Sequence, residues 1–171
     1  FLQQLIMQYG VPGHYLIAIW GLETNFGSYL GKMPTLDVLA TLACDERRSD
    51  FFSGELMTAL RVMLREQLDP LQMKGSWAGA MGHTQFMPTA YERFAVDGDG
   101  DGKADLWGSH KDALASAANF LQALGWAKSE RWGREVLLPE TFDYALTGLK
   151  RPQSLSEWRH SGVTDIWLNP L

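Results

Sequence analysis

A mainly α fold is predicted by three features of this sequence. Apolar residues recur at helical spacing in successive stretches, capping or breaking residues stand at the ends of those stretches, and a single short run reads as extended. The 171 residues suit one domain and 46% hydrophobic residues is enough for a core, so one compact unit is expected, with room for a small appended subregion. A formal net charge of −5 without a basic run argues against a nucleic-acid partner. No stretch approaches the length of a membrane span. The lone Cys44 has no partner for an internal disulfide, and its place at the end of an apolar helical pattern predicts that it packs there.

The elements follow in order. Leu2, Leu5, Ile6 and Tyr9 mark a helix stopped by Gly10; because its pattern is already under way at Phe1, the chain is expected to be a fragment of a longer precursor. Pro12 opens a second helix, with His14 exposed or capping in its first turn. The apolar run Tyr15 to Trp20 leads to Glu23, between Gly21 and Gly27. Ile19 and Trp20 lie four and three positions before Glu23 and share its helical face. That places the carboxyl against apolar surface, where an acid keeps its proton to higher pH and can donate it. The plainer alternative is a helix-terminal glutamate in water.

Thr35 reads as the N-cap of a helix from Leu36 to Ala43. The charged cluster Asp45 to Asp50, which holds Arg47 and Arg48, is by default a solvated turn. Phe51 to Leu68 reads as a long amphipathic helix with Leu56, Leu60, Met63, Leu64 and Gln67 near one stripe, Glu55 and Glu66 on its surface, and Asp69-Pro70 at its end. Met57, Met63, Met73, Met81 and Met87 are core filler. Gly75 to Pro88 is too rich in glycine for a regular element; Ser76 and Gln85 offer neutral hydrogen-bonding groups there, and a structural loop is the alternative. Pro88 starts a short helix through Tyr91 and Phe94.

Asp97-Gly98-Asp99-Gly100-Asp101-Gly102-Lys103-Ala104-Asp105 carries acids at alternate positions and glycine at the sixth, the opening of an EF-hand calcium loop. Asp97, Asp99 and Asp101 are the expected ligands. The twelfth position holds Gly108 instead of glutamate. Asp112 is the nearest acid downstream, but Ser109-His110-Lys111-Asp112 also fits a capping box for the helix through Leu124, and the two roles compete for its carboxylate. Arg134 to Pro139 is the extended run. Phe142 to Leu171 is loop-rich, with one short helix from a second capping box, Ser154 to Glu157.

Gly21-Leu22-Glu23-Thr24-Asn25-Phe26-Gly27 resembles the catalytic segment of the membrane-bound lytic murein transglycosylase B family. Gly75-Ser76-Trp77-Ala78-Gly79-Ala80-Met81-Gly82-His83-Thr84-Gln85-Phe86-Met87-Pro88 resembles its glycine-rich segment, and Leu36 to Leu42 and Phe51 to Leu56 fit between them. The match runs from about Tyr9 to Trp126. A further family segment rich in Asn and Tyr has no counterpart here.

The resemblance implies a lysozyme-like catalytic domain with the calcium loop as an insertion, closed by the displaced Asp112 and a backbone carbonyl of Lys103. It implies cleavage of peptidoglycan between N-acetylmuramic acid and N-acetylglucosamine without water, with calcium structural and no organic cofactor. Glu23 protonates the glycosidic oxygen, the muramyl acetamido carbonyl attacks the anomeric carbon, and Glu23 then takes the proton of the C6 hydroxyl, which closes a 1,6-anhydro ring. Glycosidases ordinarily use two carboxylates, and only Glu23 stands in a suitable segment. Ser76 and Gln85 would position the sugar, Phe51, Phe86 and Tyr91 would stack on sugar faces or serve the core, and Arg47 and Arg48 would meet lactyl or peptide carboxylates. Glycines 75, 79 and 82 would let the polymer lie close. A monomer is expected in the periplasm, lipid-anchored to the outer membrane through a segment outside this chain. The rival readings are a hydrolytic muramidase and a non-catalytic, calcium-stabilised peptidoglycan-binding module.

Overall fold

The computed structural model describes residues 1–128 and 132–171. They fall into two compact units, Phe1–Lys128 and Ser129–Leu171. The first holds helices α1 (Leu2–Tyr9), α2 (Gly13–Thr24), α3 (Thr35–Ala43), α4 (Ser49–Glu66), α5 (Pro88–Phe94) and α6 (His110–Ala123), with two-residue strands β1 (Met33–Pro34) and β2 (Lys74–Gly75). The strands pair antiparallel, Met33 opposite Gly75. Two residues are too few to show alternation, which is why neither strand is visible in the sequence.

Helix α6 is the spine. Asp112 to Ala118 is buried without a break. The small side chains of Ala113, Ala115, Ser116, Ala117 and Ala118 let α1, α2 and α5 pack close on it. Leu5, Tyr9, Val11 and Leu16 form one core with its residues, while Val62, Met73, Met81, Phe86, Tyr91 and Leu106 form another around Ala113. Ser116 Oγ, buried among these, accepts the Val96 N–H at 2.9 Å.

Helix α4 corrects the expected stripe. Its buried face is Phe52, Glu55, Thr58, Ala59 and Val62, whereas Met57 and Leu64 are exposed. The polar members of that face hid it. Glu55, expected at the surface, is 3% exposed and accepts the N–H and O–H of Thr89 at 2.9 and 2.7 Å, which joins α4 to α5. Thr35 is the first helical residue of α3, not its cap; it is buried and donates its N–H to the Met73 carbonyl at 2.8 Å. Cys44 caps the end of α3 and is exposed instead of packed.

In the second unit, β3 (Val136–Leu137) lies in the run read as extended and pairs antiparallel with β4 (Thr164–Asp165). A 3₁₀ turn, Tyr144–Leu146, and helix α7 (Leu155–His160) lie between them, and α7 starts with the complete Ser154–Glu157 capping box. No helix among the described residues is long and apolar enough to cross a membrane.

Replacing Glu55 with Ala leaves two part-buried donors on Thr89 without their acceptor, so the Glu55→Ala chain should lose roughly 1–2 kcal/mol in chemical denaturation. Glu55→Gln, which keeps one acceptor, should lose less.

Candidate active site

Glu23 occupies the last turn of α2. The chain leaves that turn through three consecutive residues with left-handed backbone, Asn25 (φ 48°), Phe26 (φ 57°) and Gly27 (φ 81°). Thr24, buried next to Glu23, holds the bend: its Oγ donates to the His83 carbonyl at 2.8 Å and accepts the Gly27 N–H at 3.2 Å. A Cβ on Gly27 would stand 2.3 Å from the His83 ring, so only glycine satisfies both the backbone angle and the packing.

The expected burial of Glu23 is not found; its side chain is exposed. It lies at the last turn of its helix, where Trp20 turns away to donate its Nε1–H to His83 Nδ1 at 3.1 Å. Ile19 does share its face. Together with Thr84, Gln85, Phe86, Met87, Ala90, Ala117, Phe120 and Leu121, Ile19 and Glu23 line a cleft of about 390 Å³. Glu23 is the one acid in that lining.

The opposite wall is the glycine-rich segment. Gln85 adopts a left-handed backbone (φ 52°) and donates its amide N–H groups to the carbonyls of Gly82 at 2.9 Å and Leu30 at 3.3 Å. This fixes the amide plane and leaves its oxygen without a partner among the described residues. Ser76 lies apart from the cleft lining: its Oγ accepts the N–H groups of Ala78 and Ala80, at 3.3 and 3.0 Å, and so shapes the loop. Gly75, Gly79 and Gly82 are buried against the protein itself, against Ala80, Leu39 and Leu106 in turn, and do not lie open to a polymer.

The aromatic candidates divide. Phe86 lines the cleft but is a core residue, its ring 5.5 Å from that of Phe120. Tyr91 is fully buried and donates its hydroxyl to the Ala104 carbonyl, so no sugar face reaches it; burial pushes its phenol well above the ordinary value. Phe51 is exposed beneath the Arg48 guanidinium, 4.3 Å from its ring centre. Arg47, Arg48 and Phe51 line a separate depression of about 370 Å³. Arg47 pairs with Asp45 at 3.2 Å.

In the acidic loop, carboxylate oxygens of Asp97, Asp99 and Asp112 lie within 4.8 Å of one another. Oxygens on opposite sides of a calcium ion are separated by up to roughly 5 Å, so this donor set fits. Asp97 accepts the N–H groups of Gly100 at 2.6 Å and Gly102 at 2.7 Å, which hold its carboxyl below the usual range. Asp112 is completely buried; burial raises its carboxyl, against the N–H groups of Asp105 and Gly98. The anticipated competition for Asp112 does not arise, because Ser109 accepts the backbone N–H of Asp112 and its carboxylate is left for the loop. Asp101 stands outside the trio, accepting the Lys103 N–H at 2.9 Å. Lys103 is exposed.

Thr24, His83 and Thr84 were not singled out in the sequence. Each belongs to one of the two motif blocks, but burial and pairing across 59 and 63 residues leave no local signal. Gly27→Ala should forfeit roughly 2 kcal/mol or more through the strained backbone and the displaced imidazole, read as a lowered Tm.

Residues 1–170 match the model of the transglycosylase SLT domain. The membrane-bound lytic murein transglycosylase B of Escherichia coli K12 is 43% identical over 162 residues, 91% of this chain and 43% of that protein. SltB3 from Pseudomonas aeruginosa, solved in complex with NAG-anhNAM-pentapeptide, superposes with a TM-score of 0.90 and 46% identity over 99% of this chain and 45% of that one. The Escherichia coli lytic transglycosylase Slt35, solved in complex with calcium, gives a TM-score of 0.87 and 41% identity over 95% of this chain and 52% of that one. The chain thus spans less than half the length of the curated relative.

Proposed function

This chain belongs to the transglycosylase SLT domain family, and on that premise we propose that it is a lytic transglycosylase domain acting on peptidoglycan glycan strands. The observation that carries the reading is the single carboxylate of the cleft. A hydrolase of the common type needs a second acid about 5–10 Å from the first. Where the substrate supplies the second function, one suffices.

Glu23 donates its proton to the glycosidic oxygen as the bond from muramic acid to N-acetylglucosamine breaks, and the muramyl acetamido oxygen bonds to the anomeric carbon. The Glu23 carboxylate then accepts the C6 hydroxyl proton while the C6 oxygen displaces the acetamido oxygen, and the acid is restored. Bound glycan lies over the exposed carboxyl and the apolar wall of Ile19, Met87 and Leu121, which keeps water from the anomeric carbon. Gln85, fixed by its two carbonyl acceptors, presents a neutral acceptor to the sugar. Arg48 on Phe51, with Arg47 and Ser76, offers outer contacts to stem-peptide carboxylates or sugar hydroxyls. The anhydro ligand of SltB3 supports the same product class.

We further propose that Asp97, Asp99 and Asp112 hold a structural calcium ion, with Asp101 and the Lys103 carbonyl closing its outer side. The calcium complex of Slt35 supports this. We propose further that the protein acts in the periplasm, where peptidoglycan lies, at the outer membrane.

The test is mass spectrometry of products released from purified sacculi by the wild type and Glu23→Gln. Fragments lighter by one water than hydrolytic products, absent with the variant, are expected; reducing ends would make the enzyme a muramidase, and no release would favour a binding module. Calcium at about 100 times its Kd should add about 2.7 kcal/mol of stability, several degrees in Tm. Asp112→Asn should abolish that rise, and an undiminished response would refute the trio.

A further inference from the structure

His83 belongs to the glycine-rich wall, yet its carbonyl and its ring reach across to the end of the helix that carries Glu23 and the bend after it. Its carbonyl accepts the Thr24 hydroxyl at 2.8 Å, its Nδ1 meets Trp20 Nε1 at 3.1 Å, and its ring fills the space that a side chain on Gly27 would need. Its own N–H is pinned to the Leu106 carbonyl at 2.9 Å. Trp20 is three residues before Glu23 and Thr24 is one after it, while Thr84 and Gln85, directly after His83, line the cleft with Glu23. The distance between the acid and the facing wall is therefore set through His83.

The indole nitrogen can only donate, so Nδ1 must accept. An accepting Nδ1 carries no proton, and the imidazole is neutral with its proton on Nε2. Protonation would turn Nδ1 into a donor aimed at another donor at hydrogen-bond distance.

We propose that His83 is a positioning residue for Glu23: its neutral Nε2–H form latches the end of α2 to the glycine-rich wall, and protonation releases the latch. The proposal rests on the lytic reading of the cleft. The titratable groups facing the ring are His110, which stacks on Trp20 with ring centres 5.9 Å apart and planes 8° from parallel, and Asp105. From α2 it meets Trp20 and Thr24, which do not titrate, and Glu23 lies on the cleft side of the same turn. Burial holds the imidazole below its usual value, His110 adds to that effect, and Asp105 and the Trp107 backbone oppose it. A histidine depressed in the folded state contributes its full stability above the free value near 6.5, and this is lost as pH falls below that value.

Long-range ¹H–¹⁵N spectra of the labelled chain, with His83→Asn for assignment, test the latch without reference to activity. The Nε2–H tautomer with a midpoint below the free value is expected; the Nδ1–H tautomer, or an ordinary midpoint, overturns the proposal. Activity on sacculi then tests positioning. His83→Leu should lower kcat roughly 10- to 100-fold with a much smaller change in KM, as a misplaced catalytic group does. His83→Asn keeps an acceptor near the place of Nδ1 and should recover most of that loss, with the acid limb of its pH profile moved to lower pH. Equal loss of Tm in both variants with kcat and the acid limb unmoved would reduce His83 to a structural residue. An inactive wild type that nonetheless shows the Nε2–H tautomer would overturn the lytic reading and leave the latch standing.

Discussion

The hydrogen bond from the Thr24 hydroxyl to the His83 carbonyl is the constraint on which the site depends. It joins two segments 59 residues apart, each of which leaves regular structure where the bond forms. On one side the chain runs through three left-handed residues; on the other it makes the tight turn from Gly82 to Gln85. Each supplies the buried acceptor or donor that the other requires, and a buried hydroxyl without its partner costs more than the bond contributes when made.

A second dependence runs along α6. Its first turn carries the buried Asp112, whose two carboxylate oxygens take the N–H groups of Gly98 and Asp105 and thereby tie both ends of the acidic loop to the helix. Two turns further on, Ala117, Phe120 and Leu121 of the same helix form the floor of the Glu23 cleft. The loop is thus distant from the acid in sequence and chemistry but shares a rigid element with it. A cation at the loop would neutralise a carboxylate that the core has already stripped of water, and its benefit would reach the cleft as a fixed helix, not as a reacting group.

The mainly α class was legible because its helices are long enough to show spacing and begin or end on glycine, proline or serine, whereas its lysozyme-like form was implied only by the family resemblance. Glu23, the wall with Gln85, and the acidic loop were legible as motifs. What escaped was decided by tertiary contacts. Glu55 looks like a surface charge until Thr89 arrives with two donors, and Tyr91 looks like a sugar platform until the Ala104 carbonyl takes its hydroxyl. Glu23 was expected to be buried because Ile19 and Trp20 precede it at helical spacing. The spacing was right for Ile19, but Trp20 is held by His83, and periodicity along one helix carries no information about which residue a distant loop will claim.

That Glu23 is exposed bears on how such a cleft works. A carboxyl already sealed in apolar surface would exclude water but also the glycan. On the proposed reading the apolar wall of Ile19, Met87 and Leu121 is already built, and a glycan lying across it would complete the enclosure. Substrate would then play two parts that ordinary glycosidases assign to protein: it would cover the acid, and its acetamido group would stand in for the second carboxylate. Because Glu23 is the one acid among the described residues of the cleft lining, the proposed reading gives the C6 hydroxyl of the same sugar the part that an activated water has in a hydrolase.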